Sequence, residues 1–220
     1  MPAPGAGPYK GGKRVTRILI IDDDPDICYT LGEICSFAGW EAVFAANGAQ
    51  GLDRFAGSRP DLVLVDYHMP VMDGLTTVRR LREMDPWVPL VVLTVDERQQ
   101  VADTLMEAGA TDFALKPIKA PDLISRLRVN LRIAALQKKV PPGEIYSTKG
   151  ISVVTQRLIT DFLRHSQEAL SIDRITEGVG LAYQTVHRYL AYLESTGDIV
   201  VERNYGKVGR PRNYYRLAHG

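Results

Sequence analysis

The chain has 220 residues, 45% of them hydrophobic, and its 27 basic and 26 acidic side chains nearly cancel. This length and composition suit two ordered domains, and no apolar run reaches the roughly 20 residues that a membrane-spanning helix needs. Residues 1–14 contain no apolar signal segment, and two cysteines are too few for a disulfide framework. We therefore expect a soluble cytoplasmic protein with no membrane partner and a flexible tail at residues 1–14.

Residues 15–136 alternate between strand-like and helix-like segments. Short apolar runs such as RILII and LVLV are typical of strands that are buried on both faces. Strands are predicted at Arg17–Ile21, Glu41–Ala45, Leu62–Asp66, Leu90–Thr94 and Asp112–Leu115. Helices are predicted at Pro25–Phe37, Ala49–Ala56, Leu75–Met84, Gln99–Ala108 and Ala120–Leu136. The alternation predicts an α/β fold with a doubly wound, five-stranded parallel sheet.

Polar residues stand at the carboxyl ends of four of these strands. The first strand ends at Asp22 and Asp23, the third at Asp66, the fourth at Thr94, and the fifth just before Lys116. Functional sites of doubly wound sheets lie beyond these ends. Clustered carboxylates suit Mg²⁺, and an Asp can accept a phosphoryl group whose oxygens Lys116 and Thr94 would contact. Asp66 is therefore predicted to be the phosphate acceptor.

Four segments in order, ILIIDDDPDI, DLVLVDYHMPVMDG, VVLT and ALKPI, resemble the receiver domain of two-component response regulators. The resemblance covers about residues 16–136 and implies a flavodoxin-like fold. It implies that a sensor histidine kinase phosphorylates Asp66. It also implies Mg²⁺ held by Asp23, by Asp66 and by the backbone carbonyl of His68, with Asp22 joining through water.

The same resemblance assigns residues that respond to the phosphoryl group. Thr94 and Lys116 would sense it, and Phe113 matches the aromatic position that changes rotamer on activation. The altered surface would favour a homodimer or change the contact with an output domain. A hydrolase that forms an aspartyl phosphate usually has a second Asp two residues after the nucleophile, where this chain has His68. We therefore do not expect an enzyme.

The pattern changes after residues 137–151, a predicted linker rich in Lys, Pro and Gly. Three helices and two strands are predicted at Val153–Arg164, Ile172–Val179, Tyr183–Ser195, Ile199–Arg203 and Tyr214–Leu217. The glycine-containing turn between the second and third helices predicts a helix-turn-helix. The strands enclose a glycine-rich hairpin that would form a wing. Residues 152–220 are thus expected to be a smaller winged helix-turn-helix domain.

In such a motif the second helix enters the major groove of DNA. Its outward side chains near the N-terminus would contact bases, since Gln pairs well with adenine and Arg with guanine. The candidates for base contacts are Tyr183, Gln184, His187 and Arg188. The candidates for phosphate contacts are Thr185, Lys207, Arg210 and Arg212.

The segments GLAYQTVHRYLAYLESTG and NYGKVGRPRNYYRL resemble the output domain of the CitB-type family, regulators of citrate and C4-dicarboxylate metabolism. Ala182 stands where that family usually has a Ser as the N-cap of the second helix, a loss worth on the order of 1 kcal/mol. Together the two resemblances imply a transcriptional response regulator that binds double-stranded promoter DNA. The alternative is a protein-interaction or RNA-binding module under receiver control.

Overall fold

The structure, a computed structural model, describes residues 14–137, 146–148, 151–204 and 212–218. Strands and helices alternate strictly over residues 17–137. They are β1 (Arg17–Ile21), α1 (Pro25–Phe37), β2 (Glu41–Ala45), α2 (Gly48–Ser58), β3 (Leu62–Asp66), α3 (Gly74–Met84), β4 (Leu90–Thr94), α4 (Gln99–Ala108), β5 (Asp112–Leu115) and α5 (Ala120–Gln137).

These strands form one sheet in the order β2-β1-β3-β4-β5, and all neighbouring strands are parallel. The predicted α/β fold class is therefore confirmed. Every residue of β3 and β4 is buried, as their continuous apolar runs require. Because the strands are parallel, their carboxyl ends lie along a single edge of the sheet.

Alternate side chains of each strand face the two sides of the sheet. Ile18 and Ile20 pack with α1 and α5 on one side, whereas Leu19 and Ile21 pack with α2, α3 and α4 on the other. The second of these apolar clusters continues into the C-terminal region, where it includes the fully buried Ile159. Helices thus cover both faces of the sheet. Polar side chains that follow the strands can therefore meet only at the edges of the sheet, where the strands end.

The C-terminal region contains short helices and a small antiparallel sheet. Its elements are β6 (Tyr146–Thr148), β7 (Ile151–Ser152), α6 (Val153–Arg164), β8 (Leu170–Ser171), α7 (Ile172–Val179), α8 (Tyr183–Thr196), β9 (Ile199–Asn204) and β10 (Arg212–Leu217). Strand β10 lies between β8 and β9. Helices α7 and α8 are joined by a turn in which Gly180 has a φ of 74°. None of the described helices is long and apolar enough to cross a membrane.

The predicted elements differ from the structure in several details, and most of the differences are shifts of one or two residues in an element's bounds. The short strands β6, β7 and β8 were not predicted, since two or three residues carry no recognisable alternation. Helix α2 is longer than the predicted Ala49–Ala56, because the Asn47 side chain accepts a hydrogen bond from the backbone N–H of Gln50 and caps an earlier start. The predicted wing residues Lys207 and Arg210 lie outside the described residues.

Candidate functional site

Three carboxylates meet at the carboxyl edge of the sheet. Asp22 and Asp23 follow β1, Asp66 ends β3, and one oxygen from each lies within 4.8 Å of the others. Asp66 and Asp22 are buried, whereas Asp23 is exposed. The parallel pairing of β1 with β3 accounts for this meeting, since it sets the two strand ends side by side. The arrangement concentrates negative charge at one point.

Lys116 lies between two of these carboxylates. Its Nζ is 2.7 Å from Asp66 Oδ1 and 3.0 Å from Asp22 Oδ2. Burial by itself would lower the pKa of Lys116, but its hydrogen bonds to Asp66 and Asp22 outweigh burial and raise it. Burial raises the pKa of Asp22 in spite of the ammonium group nearby. Lys116 is therefore the charged counterion of a cluster that is costly to keep ionised.

Two further predicted residues occupy the neighbouring strands. Thr94 ends β4, is buried, and its hydroxyl accepts a hydrogen bond of 3.0 Å from the backbone N–H of Asp96. Phe113 lies in β5 and is buried. His68 is exposed in the loop after β3, with its ring 4.6 Å from that of Tyr67 between centroids. The backbone of His68 thus lies two residues beyond Asp66, at the carboxyl end of β3.

The Asp-Gly pair that follows Asp66 has a local structural role. The side chain of Asp73 accepts a hydrogen bond of 2.7 Å from the backbone N–H of Thr76 and caps α3. A Cβ atom added to Gly74 would lie 2.3 Å from the carbonyl oxygen of Asp66 and 2.7 Å from Cα of Tyr67. Only glycine allows the first turn of α3 to approach so closely, and this contact holds the end of β3 in place.

Replacement of Asp73 by Ala should destabilise the protein by about 1 kcal/mol at neutral pH, because α3 loses its cap. The hydrogen bond from the backbone of Thr76 lowers the pKa of Asp73 below its ordinary value of 3.8. The stabilisation is therefore present above that value and is lost as the pH falls through the lowered pKa. Urea unfolding of wild type and variant over a pH series would measure both effects.

The Asp73→Asn variant is the control, since Asn is an equally good cap and carries no charge. It should keep most of the stability at neutral pH and show little of the pH dependence. Equal losses in the Ala and Asn variants would contradict the role of the cap.

The residues predicted to contact DNA fall into groups with different surroundings. Tyr183 is exposed, and its ring stacks on that of His187 with centroids 6.2 Å apart. Arg212 is exposed at the start of β10. Gln184, Thr185 and Arg188, in contrast, have hydrogen-bond partners in the α/β region.

Sequence reasoning missed one residue, Asp112. Its side chain is wholly buried at the start of β5, where its Oδ2 accepts hydrogen bonds of 3.2 Å from Arg126 and from Asn130. Its Oδ1 accepts a hydrogen bond of 2.6 Å from the hydroxyl of Thr185. In the sequence, Asp112 is only a polar residue at the start of a predicted strand. Many strands begin with such a residue, so nothing in the sequence indicates that Asp112 is buried and hydrogen-bonded.

The fold and the carboxylate–lysine cluster define a doubly wound α/β domain with an acidic site at the carboxyl edge of its sheet. Residues 18–128 match the response regulator receiver domain family, and the chain belongs to that family. It is 29% identical to the protein named "Probable C4-dicarboxylate response regulator DctR" of Bacillus subtilis, over 91% of this chain and 96% of that protein. A relative from Priestia megaterium with the same name is also 29% identical, over 93% of this chain and 98% of that protein.

Other relatives match about half of the chain. The transcriptional regulatory protein PrrA of Mycobacterium tuberculosis is 38% identical over 53% of this chain and 50% of its own length. Among solved structures, a CheY-like receiver domain protein from Methanospirillum hungatei superposes with a TM-score of 0.54 at 26% identity. It covers 56% of this chain and 98% of its own. The protein is thus a two-component response regulator that regulates transcription, as the sequence motifs predicted.

Proposed function

We propose that Asp66 accepts a phosphoryl group from a sensor histidine kinase and that phosphorylation controls binding of the C-terminal region to promoter DNA. One observation carries the first half of this proposal: the carboxylate of Asp66, two further carboxylates and a partly buried ammonium group meet at one point. The near full-length similarity to the DctR proteins supports the second half.

The carboxylate cluster fits Mg²⁺. Three carboxylates with oxygens within 4.8 Å of one another offer the hard oxygen ligands that this ion prefers, and the exposed Asp23 leaves an open approach. Asp23, Asp66 and the backbone carbonyl of His68 would hold the ion, with Asp22 joining through water. When bound, the ion supplies positive charge beside the oxygens of the phosphoryl group.

In the transfer step a carboxylate oxygen of Asp66 attacks phosphorus, and the bond between phosphorus and the kinase's histidine nitrogen breaks. The electron pair of that bond returns to the histidine ring, so no oxidant or other reactant is needed. Lys116 is 2.7 Å from Asp66 and would exchange its bond to the carboxylate for one to a phosphoryl oxygen. The Thr94 hydroxyl would donate a hydrogen bond to another phosphoryl oxygen. Both residues would thereby move toward the new group.

These roles imply a division of the chain into domains. Residues 15–136 would be the receiver, residues 137–151 a linker, and residues 152–220 a winged helix-turn-helix that binds double-stranded DNA. Phosphorylation would also favour a homodimer. We propose that the protein is not an enzyme, because phosphorylation of Asp66 would only switch it between two states.

The DNA contacts can be tested with two substitutions. Gln184→Ala should change the preference among duplex sequences, because a Gln amide reads a base edge. Lys207→Ala should weaken binding to all duplexes alike and reduce the salt slope by about 1, because a Lys contacts phosphate. Fluorescence anisotropy of protein treated with acetyl phosphate and Mg²⁺, over a salt series, would measure both.

Identical effects of the two substitutions would contradict the assignment of α8 to the major groove. Tighter binding of a single-stranded or structured RNA than of any duplex would favour the alternative output. The untreated wild type is the reference, and it should bind duplexes more weakly than the treated protein.

A further inference from the structure

A cleft of about 620 Å³ lies between the α/β region and the C-terminal region. Its α/β side is formed by the ends of α3 and α4 and by one face of α5, and its other side by the start of α6 and by Tyr189 of α8. Pro89 and Thr111 line it just before β4 and β5 begin, so it lies at the edge of the sheet opposite Asp66. A cleft of this volume suits a small molecule.

One face of α5 forms a wall that is polar at both ends and apolar in the middle. Asn130, Ile133 and Gln137 are three and four residues apart, so their side chains lie on the same face of the helix and line the cleft. They are 2%, 6% and 3% exposed, respectively. Asn130 and Gln137 are about 10 Å apart along the helix axis, because each residue of a helix adds about 1.5 Å. An elongated molecule on this wall would meet a polar group, an apolar surface and a second polar group.

The two amide groups of this wall are oriented so that their oxygens remain available. Asn130 Nδ2 donates hydrogen bonds of 3.2 Å to Asp112 Oδ2 and of 3.0 Å to the backbone carbonyl of Arg126. Gln137 Nε2 donates one of 2.8 Å to Ser152 Oγ. Within the part of the chain that the structure describes, Asn130 Oδ1 and Gln137 Oε1 accept no hydrogen bond. Buried acceptors normally have a donor, so a ligand on this wall would supply an N–H or O–H group to each oxygen.

The C-terminal side of the cleft adds a hydroxyl group and an aromatic ring. Thr155 is 5% exposed, and its hydroxyl has no hydrogen-bond partner among the described residues. The hydroxyl of Tyr189 accepts a hydrogen bond of 2.9 Å from the backbone N–H of Ser152, which holds its ring beside the cleft. The buried side chain of Met106 contributes apolar surface from α4. Apolar walls with a few fixed polar atoms are the usual composition of a small-molecule site.

The charged side chains that line the cleft nearly cancel. Among the described lining residues they are Arg79, Arg82, Glu83 and Glu107. Arg82 donates hydrogen bonds to the backbone carbonyls of Gly109 and Asp85, and the two glutamates pair with arginines of α3 and α8. An ionised ligand would therefore lose its hydration with little compensation from the protein. The charge pattern favours an uncharged ligand.

We infer that this cleft binds an uncharged, elongated small molecule whose apolar body lies on Ile133 and whose two ends donate hydrogen bonds to Asn130 Oδ1 and Gln137 Oε1. The ligand would contact both regions of the chain at once, since Met106 lines one side of the cleft and Thr155 the other. Binding would stabilise the folded protein increasingly as the ligand concentration rises above the Kd. The site gives the protein a chemical input that is separate from phosphorylation of Asp66.

The probe for this site is biphenyl with a hydroxyl group at each para position, a rigid apolar rod with an O–H donor at each end. Isothermal titration calorimetry of the full, unphosphorylated chain should show saturable binding of this diol at one site. Plain biphenyl has the same apolar body and no donor. It should bind more weakly by about fivefold for each hydrogen bond that it cannot form.

Two substitutions locate the binding in the cleft. Ala108→Leu adds bulk to a half-buried position that lines the cleft, whereas Ala135→Leu makes the same change at an exposed position of α5 outside it. The first should abolish binding of the diol, and the second should leave it as in the wild type. Gln137→Met keeps the length of the side chain and removes one acceptor. It should weaken the diol by about fivefold and leave the affinity for plain biphenyl unchanged.

Three results would each overturn the inference. They are the absence of saturable binding of the diol at millimolar concentration, equal binding by the Ala108→Leu and Ala135→Leu proteins, and equal affinities of the wild type for the diol and for plain biphenyl. If Ala108→Leu fails to fold, Gln137→Met still decides, because an equal loss of affinity for both probes would show that its amide oxygen does not bind the diol.

Discussion

The Asp66→Asn variant should gain no phosphoryl group from acetyl phosphate and Mg²⁺, whereas the wild type should gain one. An amide is not a nucleophile toward phosphorus, and we propose that the neighbouring carboxylates bind the ion rather than accept the phosphoryl group. The substitution changes a single atom in a buried position, so the variant should remain folded. Intact mass spectrometry of the two proteins, treated side by side, would measure the gain.

Asp23→Asn is the matched comparison for this experiment. It leaves the acceptor in place and removes one of the proposed ligands of the ion, so its phosphorylation should be slower and should require more Mg²⁺. A phosphoryl group found on the Asp66→Asn protein would show that another side chain is the acceptor.

The Lys116→Met variant should lose about 3 kcal/mol of stability in the absence of Mg²⁺. The side chains of Asp22 and Asp66 are 1% and 9% exposed, and removal of the ammonium group leaves both carboxylates without their counterion. Addition of Mg²⁺ should restore part of the loss, because a cation again neutralises the cluster. Urea unfolding with and without the ion would measure both changes.

Lys119→Met provides the control, since that lysine is exposed and lies three residues further along the chain. It should change stability little and should not make stability depend on Mg²⁺. If Lys116→Met were as stable as wild type with and without the ion, Lys116 would not be the counterion that the geometry indicates.

The strands of the receiver could be predicted because their sequences leave few alternatives. LVLVD and LVVLT are apolar without interruption, and the structure buries every residue of both. The predicted strands alone place Asp22, Asp23, Asp66 and Lys116 at one edge of the sheet. The cluster of carboxylates confirms the expectation that the carboxyl ends of parallel strands lie at the same edge of the sheet.

The contacts between the two halves could not be predicted, because they depend on residues far apart in sequence. Asp112 and Thr185 each have ordinary local roles, as the start of a strand and as a residue in the first turn of a helix. Only the tertiary fold shows that they share a hydrogen bond. The two-residue strand β8 escaped prediction for a related reason, since its pairing with β10 rather than its own composition defines it.

The contacts of Asp112 with Ala182 and Thr185 make the stability of the C-terminal region depend on the presence of the α/β region. A fragment cut out after residue 137 would begin α8 without the carboxylate of Asp112, and the N–H of Ala182 and the hydroxyl of Thr185 would have to find water instead. The same cut would separate Gln137 from Ser152, whose side chains share a buried hydrogen bond of 2.8 Å. The separated C-terminal region would therefore be less stable than the same residues in the intact chain.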